Sequence, residues 1–269
     1  MLDLIDVGVN LAHESFDRDR EEVIERAATA GIARMIVTGT SVTASVQACA
    51  LAAQRPGRLF ASAGIHPHHA NEADAPALDA IRGLLAHPQV VAVGECGLDF
   101  FRNFSPPEAQ QRAFSAQLEL AASSGLPLFL HQREAHDVFL RLIRPWRSRI
   151  VGAVAHCFTG GPDELRDYLE LDLYIGITGW LCDERRGGAL REALPGIPMD
   201  RLLVETDAPY LLPRDLPAKP RGRRNEPSFL SHVVERIAAL LDRSVEEIAG
   251  ATTRNAERLF ALPDRTPGA

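Results

Sequence analysis

Eight short apolar runs recur along this 269-residue sequence, each followed by a polar or glycine-containing turn and then a stretch with helical apolar spacing. They lie at 4–7, 34–38, 59–65, 90–95, 128–131, 152–156, 173–177 and 202–205. Near-continuous apolar strands alternating with helices imply parallel strands covered by helices on both faces. For eight such units in about 250 residues, an α/β fold of the (β/α)8 TIM-barrel type is the natural solution, an open doubly wound sheet being the other. No long or low-complexity linker divides the pattern. We therefore expect one barrel domain over 1–262, followed by a Pro/Gly-rich tail at 263–269 that is disordered.

The helical stretches carry their own signals. Within 18–30, Val23, Ile24, Ala27 and Ala28 share one face and Gly31 offers a left-handed stop. Ser105-Pro106-Pro107-Glu108 predicts a capping box that opens a helix ended by Gly125. Amphipathic segments at 228–241 and 245–259 close the pattern.

Composition narrows the function. With 46% hydrophobic and 24% charged residues the chain can bury a full core, which excludes a disordered tail, a coiled coil or a disulfide mini-protein. A net charge of −7 argues against nonspecific coating of nucleic acid, although a local basic loop remains allowed. Of the 29 Lys and Arg residues only Lys219 is a lysine, so Schiff-base, carbamylated-lysine or P-loop chemistry has almost no place here. Cys49, Cys96, Cys157 and Cys182 form no Cys-x-x-Cys pair and read as reduced thiols of a cytoplasmic protein. No export signal or membrane span is expected, because no positive charge precedes the first apolar stretch and no apolar run approaches a spanning length.

In a barrel of this kind the site is built at the C-terminal strand ends. There the sequence has Gly64-Ile65-His66-Pro67-His68-His69, then Gly94-Glu95-Cys96-Gly97-Leu98-Asp99, His131, His156 and Glu205-Thr206-Asp207. Imidazoles and carboxylates converging from five strands suit a divalent metal, whether Zn, Mn, Fe or Mg. Taken singly, His131 reads equally well as a hydrogen-bonded core histidine. Glu95, Glu205 and Asp207, each ending an apolar run, are costly to bury without a partner. His68, His69, His13, His87, His136 and His232 read as solvent or capping residues. Strand alternation predicts that Cys96 and Cys157 face the helix layer.

Two loops speak to substrate. Phe100-Phe101-Arg102-Asn103-Phe104 is either a stacking platform for unpaired bases or a hydrophobic anchor. Arg214, Lys219, Arg221, Arg223 and Arg224 make a cationic segment suited to phosphate, and Trp180 with Arg185 and Arg186 adds a ring and two cations.

Gly64-Ile65-His66-Pro67-His68, Gly94-Glu95-Cys96-Gly97-Leu98-Asp99-Phe100, His156-Cys157-Phe158-Thr159-Gly160 and Glu205-Thr206-Asp207-Ala208-Pro209-Tyr210-Leu211 resemble the TatD family of metal-dependent deoxyribonucleases. The similarity covers nearly the whole chain. Gly176-Ile177-Thr178-Gly179-Trp180, Asp183-Glu184-Arg185-Arg186-Gly187 and Arg223-Arg224-Asn225-Glu226-Pro227 look most like the protein that gives the family its name. The resemblance implies a TIM barrel, a divalent cation and 3′-5′ exonucleolytic hydrolysis of single-stranded DNA, with RNA as a second substrate and DNA repair as a setting. Carried over residue by residue, it implies Glu95, His131 and His156 as metal ligands. Asp207 is then base or further ligand, with His66 and Glu205 as catalytic support. Asn10, Phe101, Arg102, Trp180, Arg221, Arg223 and Arg224 become the expected substrate contacts, and a monomer is expected.

One departure bears on the metal. Many family members open with Asp-x-His-x-His, whereas this chain has Asp6-Val7-Gly8-Val9-Asn10. A second ion would lose two nitrogen ligands and keep mainly oxygen, so the count is one or two ions, with Mg2+ expected ahead of Mn2+ or Zn2+. Competing readings are a small-molecule amidohydrolase, an ester hydrolase acting on charged transfer RNA, and a non-catalytic metal or nucleic-acid binding module.

Overall fold

The computed structural model describes residues 2–263, so the proposed tail lies outside the described residues apart from Pro263. Eight parallel strands follow one another in sequence order around a nearly closed barrel. They are β1 (Leu4–Val9), β2 (Ile32–Val37), β3 (Leu59–Ala63), β4 (Val90–Asp99), β5 (Leu128–Arg133), β6 (Ala153–Ala155), β7 (Tyr174–Ile177) and β8 (Leu202–Val204). The helices are α1 (Arg20–Thr29), α2 (Val42–Ala53), α3 (Ala75–Leu85), α4 (Pro107–Ser124), α5 (His136–Ile143), α6 (Pro162–Glu170), α7 (Gly188–Ala193), α8 (Leu230–Leu241) and α9 (Val245–Phe260). Each predicted run coincides with a strand.

Strand alternation sorts the apolar residues into two cores. Ile5, Val7, Ile36, Phe60, Val91, Phe129, Val154, Tyr174 and Leu203 fill the barrel interior. Their strand neighbours Leu4, Met35, Leu59, Val90, Leu128, Leu130, Ala153, Leu202 and Val204 pack outward in the cluster that includes the helix layer. The last helix serves the inner core: Ala256, Leu259, Phe260 and Leu262 join the interior cluster. Polar bonds fasten that end, with Asn255 Nδ2 donating to the carbonyls of Met199 and Leu202 at 2.8 Å and buried Arg34 paired with Glu257 at 2.5 Å.

Two local predictions are corrected. Gly125 does end α4, in the left-handed conformation (φ 70°), but no capping box opens it. Ser105 Oγ instead donates to the carbonyl of His68 and accepts from the Asn71 amide, tying the α4 entry to the loop after β3. Ahead of α8, 227–229 form a 3-10 turn rather than helix.

The seam between β8 and β1 is closed by two backbone bonds at the mouth, Asp207 N to Gly8 O and Asn10 N to Ala208 O, both 2.8 Å. Below them the fully buried Asp6 carboxylate accepts from the Thr206 amide (2.9 Å), the Thr206 hydroxyl (2.5 Å) and the Gly8 amide (3.3 Å). Burial pushes the Asp6 carboxyl up to about 7, against those hydrogen bonds. Between the ordinary Asp range and that value, the folded chain keeps a proton that the unfolded chain has released, so this group lowers stability as pH rises from about 4 to 7 and adds nothing further above. We expect Asp6→Asn to flatten that fall. Asp6→Ala, which strands three donors, is expected to cost roughly 2–4 kcal/mol at every pH. Thermal melts of the three proteins between pH 4 and 8 check both; parallel Tm profiles for wild type and Asp6→Asn would refute the first.

Candidate metal centre

The inward positions of the barrel are apolar at the bottom and polar at the top. On β5 the same face carries Phe129, His131 and Arg133; on β6 and just beyond it, Val154 and His156; on β8 and just beyond it, Leu203 and Glu205. On β4 the ladder advances three residues, Val93 to Cys96, while β5 advances two, a bulge that re-aims Glu95. The freed Glu95 amide donates to the Gly39 carbonyl at 2.7 Å.

Around Glu95 Oε1 stand His131 Nδ1 at 3.0 Å, His66 Nε2 at 3.3 Å and His156 Nε2 at 3.6 Å. The ligand atoms of His66, Glu95 and His131 lie within 4.8 Å of one another, as do those of His156, Cys157 and Asp207. Both groups line one cavity of about 960 Å3 at the barrel mouth.

The far nitrogens separate ligands from helpers. His156 Nδ1 lies 2.7 Å from Glu205 Oε2 and donates to it, so Nε2 is the nitrogen that faces Glu95. His131 Nε2 is buried, makes no hydrogen bond, and stands 3.4 Å from Asp99 Oδ2, while its Nδ1 faces Glu95. A carboxylate behind each imidazole is the usual backing of a metal-bound histidine. His66 differs: its Nδ1 accepts the His68 amide, which puts its proton on Nε2, and burial holds the ring down to about 4, only partly offset by Glu95. His66 is thereby a neutral donor toward Glu95 and the cavity. One carboxylate oxygen and two imidazole nitrogens pointing at a common volume are a donor set that fits a divalent cation, which would displace the protons those nitrogens hold toward Glu95.

Electrostatics agree. Burial works to raise the Glu95 carboxyl, but the imidazoles of His66, His156 and His131 hold it well below the carboxylate range. Burial opposes protonation of His156, and Glu205 with Glu95 prevails, lifting it to about 10. Asp207 is pushed up to about 7 by burial, with Glu95 and Glu205 adding to the rise against His156, and it accepts Asn10 Nδ2 at 2.9 Å.

Glu205 is wholly buried. Its second oxygen accepts the Cys157 amide at 2.5 Å. The carboxylate fits because positions 8 and 176 lack side chains: a Cβ at Gly8 would collide with Glu205 Oε2 and the Phe129 ring, and one at Gly176 with Glu205 Oε1. A histidine at position 8 is therefore incompatible with Glu205 where it stands.

Other predicted residues fall in several places. Asn10, Arg102 and Trp180 line the cavity with the two candidate ligand groups; Phe101 lies beside it, half exposed under the guanidinium of Arg133. The phenylalanine loop divides its labour, Phe100 packing on the core and Phe101 and Phe104 exposed. The basic segment does not enter the cavity: Arg224 is bonded to Asp19 at 2.6–2.7 Å and Arg214 to Glu184 at 2.9 Å, while Arg221 and Arg223 are exposed outside it.

Two readings are corrected. Cys157 lines the cavity rather than facing the helices, because it lies beyond the end of β6 with φ 46°, where alternation no longer holds. Burial beside Asp207 and Glu205 keeps its thiol protonated. His68 is no bystander either: its Nε2 is 2.9 Å from Asp99 Oδ2, and its ring stands edge-on to Phe104 at 4.7 Å. Cys96 does lie in the outer core, fully buried. Sequence reasoning passed over Asp99 and Arg133 as site residues, whereas Arg186, expected beside Trp180, does line the cavity. Asp99 stood in a motif already singled out, and Arg133 follows His131 by one strand period. A third group, Cys182, Asp215 and His232, lies apart from the cavity, with Asp215 already paired to His232 (2.7 Å) and Arg236 (2.9 Å).

Comparison with known proteins adds an independent line. A family model described as TatD related DNase matches residues 5–261. The 3'-5' ssDNA/RNA exonuclease TatD of Erwinia tasmaniensis is 53% identical over 96% of this chain and 100% of its own length. The protein of the same name from Musicola paradisiaca is 55% identical, over 96% and 98%. The crystal structure of YJJV, a TatD homolog from Escherichia coli, superposes with a TM-score of 0.89 at 30% identity, covering 97% of this chain and 99% of that one.

Because Glu205 sets the His156 tautomer without itself reaching the cavity, Glu205→Gln is expected to weaken divalent-cation affinity by about 10- to 100-fold while the fold persists. Calorimetric titration with Mn2+ at pH 7.5, alongside a melting curve, measures both. An affinity equal to wild type would show that Glu205 only fills space.

Proposed function

The chain belongs to the TatD-related DNase family, and from that premise we propose that it is a divalent-metal-dependent nuclease that shortens single-stranded DNA from the 3′ end, with RNA as a second substrate. The observation that carries this reading is the convergence of Glu95 Oε1, His131 Nδ1 and His156 Nε2 in a cavity that also presents aromatic rings and guanidinium groups. Those three residues would hold the ion, which when bound supplies Lewis-acid polarisation of a phosphate oxygen. Gly8 and Asn10, standing where two histidines would supply nitrogen, favour Mg2+ as the working ion, with Mn2+ or Zn2+ as substitutes, and one strongly held ion rather than two.

The chain's own groups account for the rest. Asp207, with a carboxyl poised near neutrality and fixed by Asn10, is placed to take a proton from an attacking water. His66, neutral and protonated at Nε2, donates into the same space. Exposed Phe101 and Phe104 and the ring of Trp180 offer stacking faces to unpaired bases, which a duplex would keep stacked and unavailable.

Residues 1–262 act in this reading as one barrel domain and as a monomer, in turnover or repair of nucleic acid. All four cysteines are free, which supports a cytoplasmic setting. Among the described residues no helix is long and apolar enough to cross a membrane.

The test uses a 5′-labelled oligonucleotide, single-stranded or annealed to its complement, with Mg2+ or EDTA. We expect a ladder shortening from the 3′ end on the single strand, slower loss of the duplex, and none in EDTA. Asp207→Asn is expected to lower kcat by about 100- to 10,000-fold. Cleavage in EDTA would defeat the metal assignment, equal rates on the two substrates the stacking assignment, and wild-type turnover by Asp207→Asn the base assignment.

A further inference from the structure

The cavity that takes a polyanion in this reading is itself acidic, lined by Glu14, Glu95, Asp99 and Asp207. Its cations are Arg102, Arg133 and Arg186, and they are not equivalent. Arg186 is neutralised by Asp183, with its Nε 2.9 Å and a terminal nitrogen 2.8 Å from Asp183 Oδ2, while its guanidinium lies over Trp180. Arg102 sits on the loop after β4 and is exposed.

Arg133 is on β5 itself, one strand period past His131, so both side chains leave the same face of a rigid strand. Its cross-strand partner on β4 is Asp99, the carboxylate that would ordinarily neutralise it. Asp99 is engaged elsewhere: Oδ2 meets His68 Nε2 at 2.9 Å and lies 3.4 Å from His131 Nε2, while Oδ1 accepts the Arg102 amide at 2.8 Å. Among the described residues Arg133 forms no ion pair. Its guanidinium instead lies over the Phe101 ring, Cζ 3.9 Å from the centroid. A ring face orients a guanidinium without consuming its charge or its in-plane N–H donors.

We propose that Arg133, propped on Phe101, is the residue that grips a substrate phosphate beside the metal-binding cluster, and that the histidines around Asp99 keep it free to do so. The proposal rests on the nuclease reading and assigns the grip to a strand residue rather than to the basic segment at 214–224. A planar fork of donors matches phosphate oxygens in a way that a point charge does not.

The experiment measures binding and cleavage separately. Anisotropy of a 5′-labelled 12-mer of single-stranded DNA is followed in EDTA from 50 to 300 mM salt, and steady-state cleavage is followed with Mg2+, for wild type, Arg133→Gln and Arg133→Lys. We expect Arg133→Gln to raise Kd and KM by about 10- to 100-fold, with a smaller change in kcat. Its slope of log affinity against log salt should be shallower by about 0.7, the loss of one phosphate contact on a single strand. Arg133→Lys should keep the wild-type slope while binding more weakly, and Mn2+ titration should match wild type in both variants. Unchanged KM and slope in Arg133→Gln would overturn the proposal, as would loss of Mn2+ binding in step with KM, the mark of a structural role. If wild type binds the strand in an Arg133-dependent way but does not cleave it, the nuclease reading fails and the grip stands; no binding and no cleavage by wild type overturns both.

Discussion

A carboxylate with no access to water must find donors for its oxygens, or it raises its pKa or unfolds the site. Glu205 is that carboxylate here, and its two donors are the His156 ring and the Cys157 amide. Much of the mouth follows from satisfying it. Position 8 on β1 and position 176 on β7 must be glycine to leave it room. His156 must donate from Nδ1, which turns Nε2 toward Glu95. The chain just beyond β6 must bend so that the Cys157 amide reaches inward, and Cys157 accordingly sits at φ 46° with its thiol in the cavity. A side chain at position 8 would therefore displace the same carboxylate that orients His156 beyond the sixth strand.

The fold was legible because barrel strands are apolar on both faces and short, so eight runs stood out against polar turns. The site was legible for a related reason: a carboxylate or imidazole at the end of an apolar run is expensive unless it has work to do, and Glu95, His131, His156 and Glu205 all stand on that criterion. What failed was the extrapolation of strand geometry past a strand's end. Cys157 was assigned outward by alternation, yet β6 stops at Ala155. Conversely, β5 runs on to Arg133, two residues beyond its predicted limit, and brings Arg133 to the inner face. Ser105 has the sequence of a helix cap, but the carbonyl of His68 and the amide of Asn71 compete for its hydroxyl and win.

Counting charges along the sequence could not show which ones are neutralised. The segment at 214–224 is strongly basic, but Arg224 answers to Asp19, some 205 positions away in the chain, and Arg214 to Glu184. In the acidic cavity a guanidinium with no carboxylate carries more weight than several in a paired run. Arg133 keeps its charge because Asp99, its natural partner across the ladder, is occupied by histidines. The chain's near-total use of arginine over lysine suits this arrangement, since a guanidinium lying on a ring still presents a planar fork of donors, which an ammonium lacks.

The seam of the barrel and the chemistry at its mouth are also one structure. Thr206, whose amide and hydroxyl both bond to Asp6, lies between Glu205, which sets the His156 ring, and Asp207, which faces the cavity. Asp207 in turn gives its amide to Gly8, the residue whose missing side chain admits Glu205. Three consecutive residues therefore close the barrel, aim the His156 ring and place a carboxylate in the cavity, with successive side chains alternating between those tasks. Any opening between β8 and β1 moves all three together. The first strand, without histidines at positions 8 and 10, contributes Asp6, an empty position 8 and Asn10, which bond to or make room for the residues that follow the eighth strand.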